Sequence, residues 1–532
     1  MLEQNKKMHQ IHILISLLAI LWIGGFTKAY ANQIKPATPS GYYNVRDYGA
    51  KGDGHALDSP AINKAISAAA QKGGGTVYIP AGTYLSGSIE MKSNIRLYLE
   101  QRTVIQTVQD TSAYNPPEPN EFTDYQDFGH SHWKNSLIWG IGLKNISIEG
   151  QGMIYGKGLT RDLENRDNLP KGLGNTAIAL KNCRNVILRD FSILKGGHFG
   201  ILATGVDNFT IDNLTIDTKR DGIDVDACKN VRISNCNINS PWDDAIVLKS
   251  SHALGKVRNT ENVTITNCYV TGGYKLGSLI HGTFKRFGPD EHIPYTGRIK
   301  FGTESNGGFK NITISNCVFE YCGGLALETV DGGDLEDVTI SNITMRHIIN
   351  MPIFLRLGSR MRGPADLKVG HLRHVNISNI VAYDAASRAA STISGIPGHD
   401  IEDVNISNVQ LYLRGGGDKD MFDIQVPEKA DGYPEPTMFG SLPAYGFFIR
   451  HVKGITMNNI QLHTIDADKR PAFYMDGVSE ANFHRVDISS NAMINPLLLK
   501  DVNDFKLSSF GNLTDQEVDF VKHRTLYPEP GE

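Results

Sequence analysis

One strand-like phrase recurs through the middle of this chain, and its spacing restricts the fold more than any other feature. Asn145 opens NISIEG, Asn185 opens NVILRD, Asn208 opens NFTIDNLTI and Asn230 opens NVRISNCNI. The series continues at Asn262, Asn311, Asp337, Val375, Asp403 and Ile455. Each copy alternates aliphatic or β-branched residues with polar ones, the period of a strand with one buried face. Close copies, such as those at Asn185, Asn208 and Asn230 or at Asn311 and Asp337, lie 22 to 26 residues apart. So short a repeat holds two or three strands and no helix. Its apolar face is covered only when the next copy stacks on it. Stacking in register at the parallel-strand spacing of roughly 4.8 Å predicts an all-β solenoid, a parallel β-helix. The recurring asparagines are expected to form an internal ladder at a bend. A leucine-rich horseshoe would need a Leu-x-x-Leu-x-Leu frame, which the repeat lacks.

The chain enters this solenoid differently. A Gly/Asp-rich stretch, Asp47 to Gly54, is followed by Asp58 or Ser59 as a helix N-cap with Pro60 in the first turn. Ala61, Ile62, Ala65, Ile66 and Ala69 form one apolar face, and Gly73-Gly74-Gly75 ends the helix. Such a helix is expected to cover the open apolar end of the coils. The expected organisation is a cap with first coils over residues 32–100 and the β-helix over 101–532. Insertions at 113–135, 273–297 and 414–446 interrupt the repeat, and insertions in a solenoid become loops, often grouped on the binding face. The first of them carries His130, His132 and Trp133.

Residues 1–31 read as a signal peptide. Lys6 and Lys7 precede the apolar run from Ile11 to Phe26, and Ala29-Tyr30-Ala31 supplies a small-x-small cleavage pattern. The run is short for a membrane span, and no second segment is long enough. The mature chain is therefore expected to be exported to periplasm or medium, without a membrane span, as a monomer. Losing Lys6, Lys7, Lys28 and Glu3 takes the formal net charge from −4 to −6. No long block of one sign appears, so neither nucleic acid nor an anionic membrane is an expected partner. Of the six cysteines, Cys236, Cys268 and Cys317 each end an Asn-Cys pair, and Cys183 and Cys228 each precede an Asn-Val by two residues. With Cys322, they read as small buried hydrophobes at repeated positions rather than zinc ligands. One disulfide is left open.

The densest acidic cluster runs from Asp221 through Asp224 to Asp226, followed by Trp242-Asp243-Asp244-Ala245-Ile246-Val247-Leu248. Aligning Ile223 with Ile246 and Val225 with Leu248 sets Asp221 level with Asp244 on the adjoining coil, with Asp243 beside it. Carboxylates so close push at least one pKa upward, leaving one acid protonated beside ionised neighbours. Glycoside hydrolysis needs such an acid and base flanking the scissile oxygen, and a separation of about 6.5–9.5 Å leaves room for a water and gives inversion. Lone Asp-Gly turns more often cap turns or bind calcium, and Asp224 and Asp226 are read in that way. Arg298 and Lys300 alternate outward about Ile299, one coil beyond Asp244, as cations for a uronate carboxylate. Lys249, Arg220 and Arg356 are further candidates for charge, and Trp242 and Tyr433 for stacking on a sugar face.

Several of these motifs occur together in one family. DYGAKGDG with its helix, DGID from Asp221, DDAIVLKS from Asp243, Arg298-Ile299-Lys300 and YPEPTMFGSLPAYGFFIRH from Tyr433 span almost all of the mature chain. The sequence resembles glycoside hydrolase family 28, the polygalacturonase-like enzymes. That resemblance implies a right-handed β-helix, inverting hydrolysis of a galacturonic acid linkage in pectin, and no cofactor. It also implies Asp243 as proton donor, with Asp221 and Asp244 activating water. Departures concentrate around the core. Lys219-Arg220 stand where the family usually has Asn-Thr, and Trp242 stands where a small or amide residue is usual. The family's Gly-His-Gly is missing one coil later, where Gly272-Gly273-Tyr274 runs into an insertion; His281 within it is the candidate replacement. Long insertions that wall a cleft favour exo action. Three alternatives stand beside this reading: a hydrolase of rhamnogalacturonan or another uronate glycan, a calcium-dependent polysaccharide lyase, and a non-catalytic glycan-binding β-helix.

Overall fold

A computed structural model describes residues 41–125, 128–161, 170–385, 390–489 and 497–526. The chain divides into two units, Met1–Tyr42 and Tyr43–Glu532. The export segment read from residues 1–31 belongs to the first and lies outside the described residues. The stacked coils belong to the second.

Alternation makes each repeat one turn of three short strands. Phe199–Thr204, Asp207–Asp212 and Thr215–Asp217 form one turn; Asp221–Asp226, Lys229–Ser234 and Asn237–Asn239 form the next. Successive turns pair parallel, with Ile201 on Ile223, Phe209 on Val231 and Ile216 on Ile238. Identical positions thus stack, and Ile201, Ile223, Ile246, Ile299, Leu325 and Ile353 form one buried row through the core. The architecture is a right-handed parallel β-helix.

The asparagine ladder is present. Asn208 Nδ2 donates to Asn185 Oδ1 (2.9 Å), Asn230 to Asn208 (3.1 Å), Asn262 to Asn230 (3.0 Å) and Asn311 to Asn262 (2.7 Å). These residues take left-handed backbone angles, φ 52° at Asn208 and 58° at Asn230, which asparagine tolerates better than most residues. The expected internal position is corrected: the ladder stands on the exposed surface, because the left-handed bend is an outer corner of the turn.

Both ends are closed. Helix α1 (Ser59–Gln71) buries Ile62, Ala65, Ile66 and Ala69 against the first coils. Asp58 precedes it, but its carboxylate accepts the N–H groups of Lys51 (2.6 Å) and Gly52 (3.1 Å) rather than capping the helix. At the far end Gln516–Leu526 pairs antiparallel with Leu497–Phe510. All six cysteines are buried and unpaired, with Cys236, Cys268 and Cys317 on successive turns. Among the described residues no helix is long and apolar enough to cross a membrane.

Two insertions fold down onto the coils. Trp133 is fully buried with Trp139, Phe199 and Leu202, and Glu118 accepts the N–H groups of Trp133 (3.1 Å) and Lys134 (3.0 Å). In the 414–446 insertion, Phe439 and Leu442 pack with Phe354 and Phe448.

Candidate active site

Five stacked strands of one sheet carry the site: β1 (Phe199–Thr204), β2 (Asp221–Asp226), β3 (Ile246–Ser250), β4 (Ile299–Ser305) and β5 (Leu325–Thr329). The register read from apolar alternation is the one observed, Ile223 on Ile246 and Val225 on Leu248. Asp221 begins β2 and Asp244 stands just before β3. The Asp244 N–H donates to Asp221 Oδ1 (3.1 Å) and also to Asp243 Oδ1 (3.2 Å). One oxygen from each of the three carboxylates lies within 4.8 Å of the others. These nearest oxygens thus stand closer together than the about 6.5–9.5 Å that an inverting pair keeps between its carboxyl groups. The shared N–H is the cause, since it draws Asp221 and Asp243 to one point.

Burial and the neighbouring Asp243 charge hold the Asp221 carboxyl well above the ordinary carboxylate range. Burial also raises Asp244, with Arg298 and Lys300 pulling against it. Asp243 is the most exposed of the three and pairs with Arg220 at 2.6 Å.

β4 and Arg298 just before it supply the cations. Arg298 Nε donates to Asp244 Oδ1 at 2.7 Å, and Lys300 Nζ lies 3.8 Å from Asp244 Oδ2. Both also meet Glu435 of the 414–446 insertion, at 2.9 Å from Arg298 Nη2 and 3.6 Å from Lys300 Nζ. Glu328, from β5, lies 3.4 Å from Lys300, and burial pushes its carboxyl up to about 8.

A second buried charge cluster adjoins the aspartates. Leu248 and Ser250 of β3 pair with Phe301 and Ser305 of β4, so β4 bulges, and Glu304 lies within the bulge. Lys249 Nζ lies 3.2 Å from Glu304 and 3.4 Å from Asp224. His130 sits among them, 2.6 Å from Lys249 Nζ and 3.4 Å from oxygens of both Glu304 and Asp224. Burial and Lys249 disfavour its charge, but Glu304 and Asp224 outweigh them and raise the imidazole to about 10. Glu304 is held well below the ordinary range; burial opposes this, and Lys249 and His130 overcome it. His130 also comes within 4.8 Å of Asp221.

This geometry has relatives. A family model described as "Rhamnogalacturonase A/epimerase, pectate lyase-like" matches residues 42–243. A "Probable polygalacturonase" of Vitis vinifera is 23% identical over 442 residues, 80% of this chain and 85% of that protein. The exopolygalacturonase of Platanus acerifolia is 26% identical over 394 residues, 70% of this chain and 91% of that protein. The chain is similar in sequence to proteins named as polygalacturonases. The family 28 exopolygalacturonase of Yersinia enterocolitica shares the fold, with a TM-score of 0.58 at 18% identity, covering 88% of this chain and 78% of that one.

The site's histidine arrives from an unexpected loop. His281 is exposed on its own insertion, whereas His130 of the 113–135 insertion enters the cluster. Asp224, expected to be a turn residue, is buried against His130 and Lys249. Arg356 is corrected as a substrate ligand. Its guanidinium donates to Ser394 Oγ (2.9 Å) and to the carbonyls of Gly395, Glu428 and Lys429 (3.0, 2.8 and 2.9 Å), so it fastens the 414–446 insertion to the coil. Trp242 is half-buried, packed edge-on against Phe287 beneath Lys219. Tyr433 presents a ring that is 55% exposed, while its hydroxyl accepts a hydrogen bond from Thr303 (2.9 Å). Glu304 and Glu328 carried no signal in the sequence beyond being acidic, and Glu435 only its place in the motif from Tyr433.

Two triads have the spacing of a cation site, His130–Asp221–Asp224 and Asp221–Asp243–Asp244. Protein cations already face each: Lys249 the first, Arg220 and Arg298 the second. The donor set therefore fits a resident metal poorly.

Proposed function

We propose that the protein is an exported glycoside hydrolase cleaving a galacturonic acid linkage in pectin, with Asp243 donating the proton and Asp221 and Asp244 activating water. One observation carries this reading: three carboxylates gathered together, two of them on the Asp244 N–H, with Arg298 and Lys300 on the next coil. Burial favours retention of a proton on Asp221. Asp243 reaches the open side of the site, and the proton held on Asp221 passes to it within the cluster before going to the leaving oxygen, which leaves Asp221 ionised to activate water. The relatives named for polygalacturonase activity support the substrate class, and the insertions folded over the coils support exo action.

The test is turnover of homogalacturonan and rhamnogalacturonan oligomers by the wild type and by Asp243→Asn. The variant should lose roughly 10²–10⁴-fold in kcat with little change in KM. NMR of the first product from an α-linked substrate should show the β anomer, the mark of inversion. An α anomer would instead assign one aspartate as nucleophile, as the short carboxyl spacing allows. Undiminished cleavage by the variant would take Asp243 out of the mechanism, and unsaturated products lost on chelation would sink the hydrolase reading.

A further inference from the structure

Glu435 stands where the cations of β4 would meet a substrate. Its carboxylate accepts a hydrogen bond from Arg298 Nη2 at 2.9 Å and lies 3.6 Å from Lys300 Nζ. Asp244 takes the other side of the same two cations, at 2.7 and 3.8 Å. Each positive charge is therefore already matched before any sugar arrives. A uronate carboxylate entering here would meet two occupied cations and the Glu435 carboxylate itself, and like charges brought together without compensation repel.

One donor is left over. Arg298 Nη1 is buried without a hydrogen-bond partner among the described residues, whereas the buried Glu328 carboxyl lies 3.4 Å from Lys300 Nζ. An unmatched buried donor is costly, and a neutral acceptor such as a hydroxyl satisfies it without adding charge. Two residues before Glu435, Tyr433 lays an exposed ring over Lys300, 5.5 Å from Nζ, and over Arg360, 5.7 Å from the guanidinium carbon. An aromatic face beside a donor open to a hydroxyl matches a neutral sugar ring.

We propose that Glu435 is a specificity determinant: it fills the anion pocket of Arg298 and Lys300, so the sugar bound over β4 is neutral rather than a uronate. This rests on the hydrolase reading for the site's identity, but not for its test. Glu435 keeps its charge across the working pH range. Burial would raise its carboxyl, yet Lys300 and Arg298 lower it to about 2. Protonation therefore does not vacate the pocket.

The test is calorimetric binding in an Asp243→Asn background, which stops turnover, with and without Glu435→Gln. The probes are a trigalacturonate and an oligomer alternating galacturonate with a neutral deoxyhexose. With Glu435 present, the alternating oligomer should bind at least about tenfold more tightly than trigalacturonate, as an unpaired charge predicts. Glu435→Gln should tighten trigalacturonate by about as much and leave the alternating oligomer within about twofold. Equal affinities that Glu435→Gln leaves alone would overturn the proposal. So would a parallel loss for both probes, which marks Glu435 as only a fastening for its loop. Glu435→Ala, with its melting temperature recorded, guards against misfolding and should give the same ordering. If the wild type cleaves neither oligomer while the binding difference holds, the hydrolase reading fails and the role of Glu435 stands.

Discussion

His130 is the residue that ties the 113–135 insertion to the catalytic neighbourhood. It stands among Lys249, Glu304 and Asp224; burial and Lys249, 2.6 Å from Nε2, oppose its charge, while the two carboxylates raise its pKa. The folded value, about 10, lies above the roughly 6.5 of a free imidazole. Its charge therefore stabilises the fold fully below about pH 6.5 and ceases to as pH rises through about 10. The melting temperature of the wild type should exceed that of His130→Gln most at mildly acid pH, and the gap should narrow as pH climbs toward 10. A gap independent of pH would mean that the ring is neutral. The sequence could not announce this contact. Asp221 and Asp244 reveal each other because one repeat period separates them and apolar alternation sets the register. Position 130 lies 119 residues from Lys249, and Glu435 lies 137 from Arg298, with no period linking either pair. Such contacts depend on how loops fold over the coils, and side-chain alternation carries no information about that.

At the scale of elements, the coils are rigid by repetition, while the insertions depend on a few anchors. The 414–446 insertion carries Tyr433 and Glu435 to the site, and Arg356 fastens it by donating to the carbonyls of Glu428 and Lys429. Arg450 adds donations to Val426 and Pro427 at 2.9 and 3.1 Å. Hydrogen bonds from a charged group contribute roughly 1.5–3 kcal/mol each, so these few bonds hold much of the segment. Burial, and then the nearby Arg450, lower Arg356 to about 10, which marks it as a structural cation held among carbonyls. Arg356→Met should hasten proteolysis within 414–446, as seen by mass spectrometry, and lower kcat/KM through Tyr433 and Glu435. The coils themselves should remain resistant. Unchanged cleavage at that segment would show that Phe439 and Leu442 suffice to anchor it. The motif from Tyr433 was legible as a motif, but its anchors were not. Arg356 looked like a ligand because an arginine on the same sheet as Arg298 and Lys300 reads as one until its donors are counted.

For the whole molecule, a solenoid's stability is a sum over neighbouring turns, and its weakness is an open end. The repeat revealed the fold because every turn is written in the same alternation, yet it said nothing of how the last turn is closed. The structure closes it with Gln516–Leu526, the antiparallel partner of Leu497–Phe510. Glu517, Asp519, Lys522, His523 and Arg524 face solvent on that strand, placing mixed charge where another chain's edge would otherwise pair. Stopping the chain after Gly511 would leave the outward edge of Leu497–Phe510 unpaired and uncover Leu499, Val502 and Phe505. The truncated protein should self-associate in a concentration-dependent way by light scattering, while its dilute form still cleaves substrate, because the aspartates of β2 and β3 lie many turns away. A truncated chain that stays monomeric at every concentration would show that the preceding turn guards its own edge. Loss of cleavage in the dilute form would show instead that the cap supports the site through the intervening coils, against the nearest-neighbour logic of the fold.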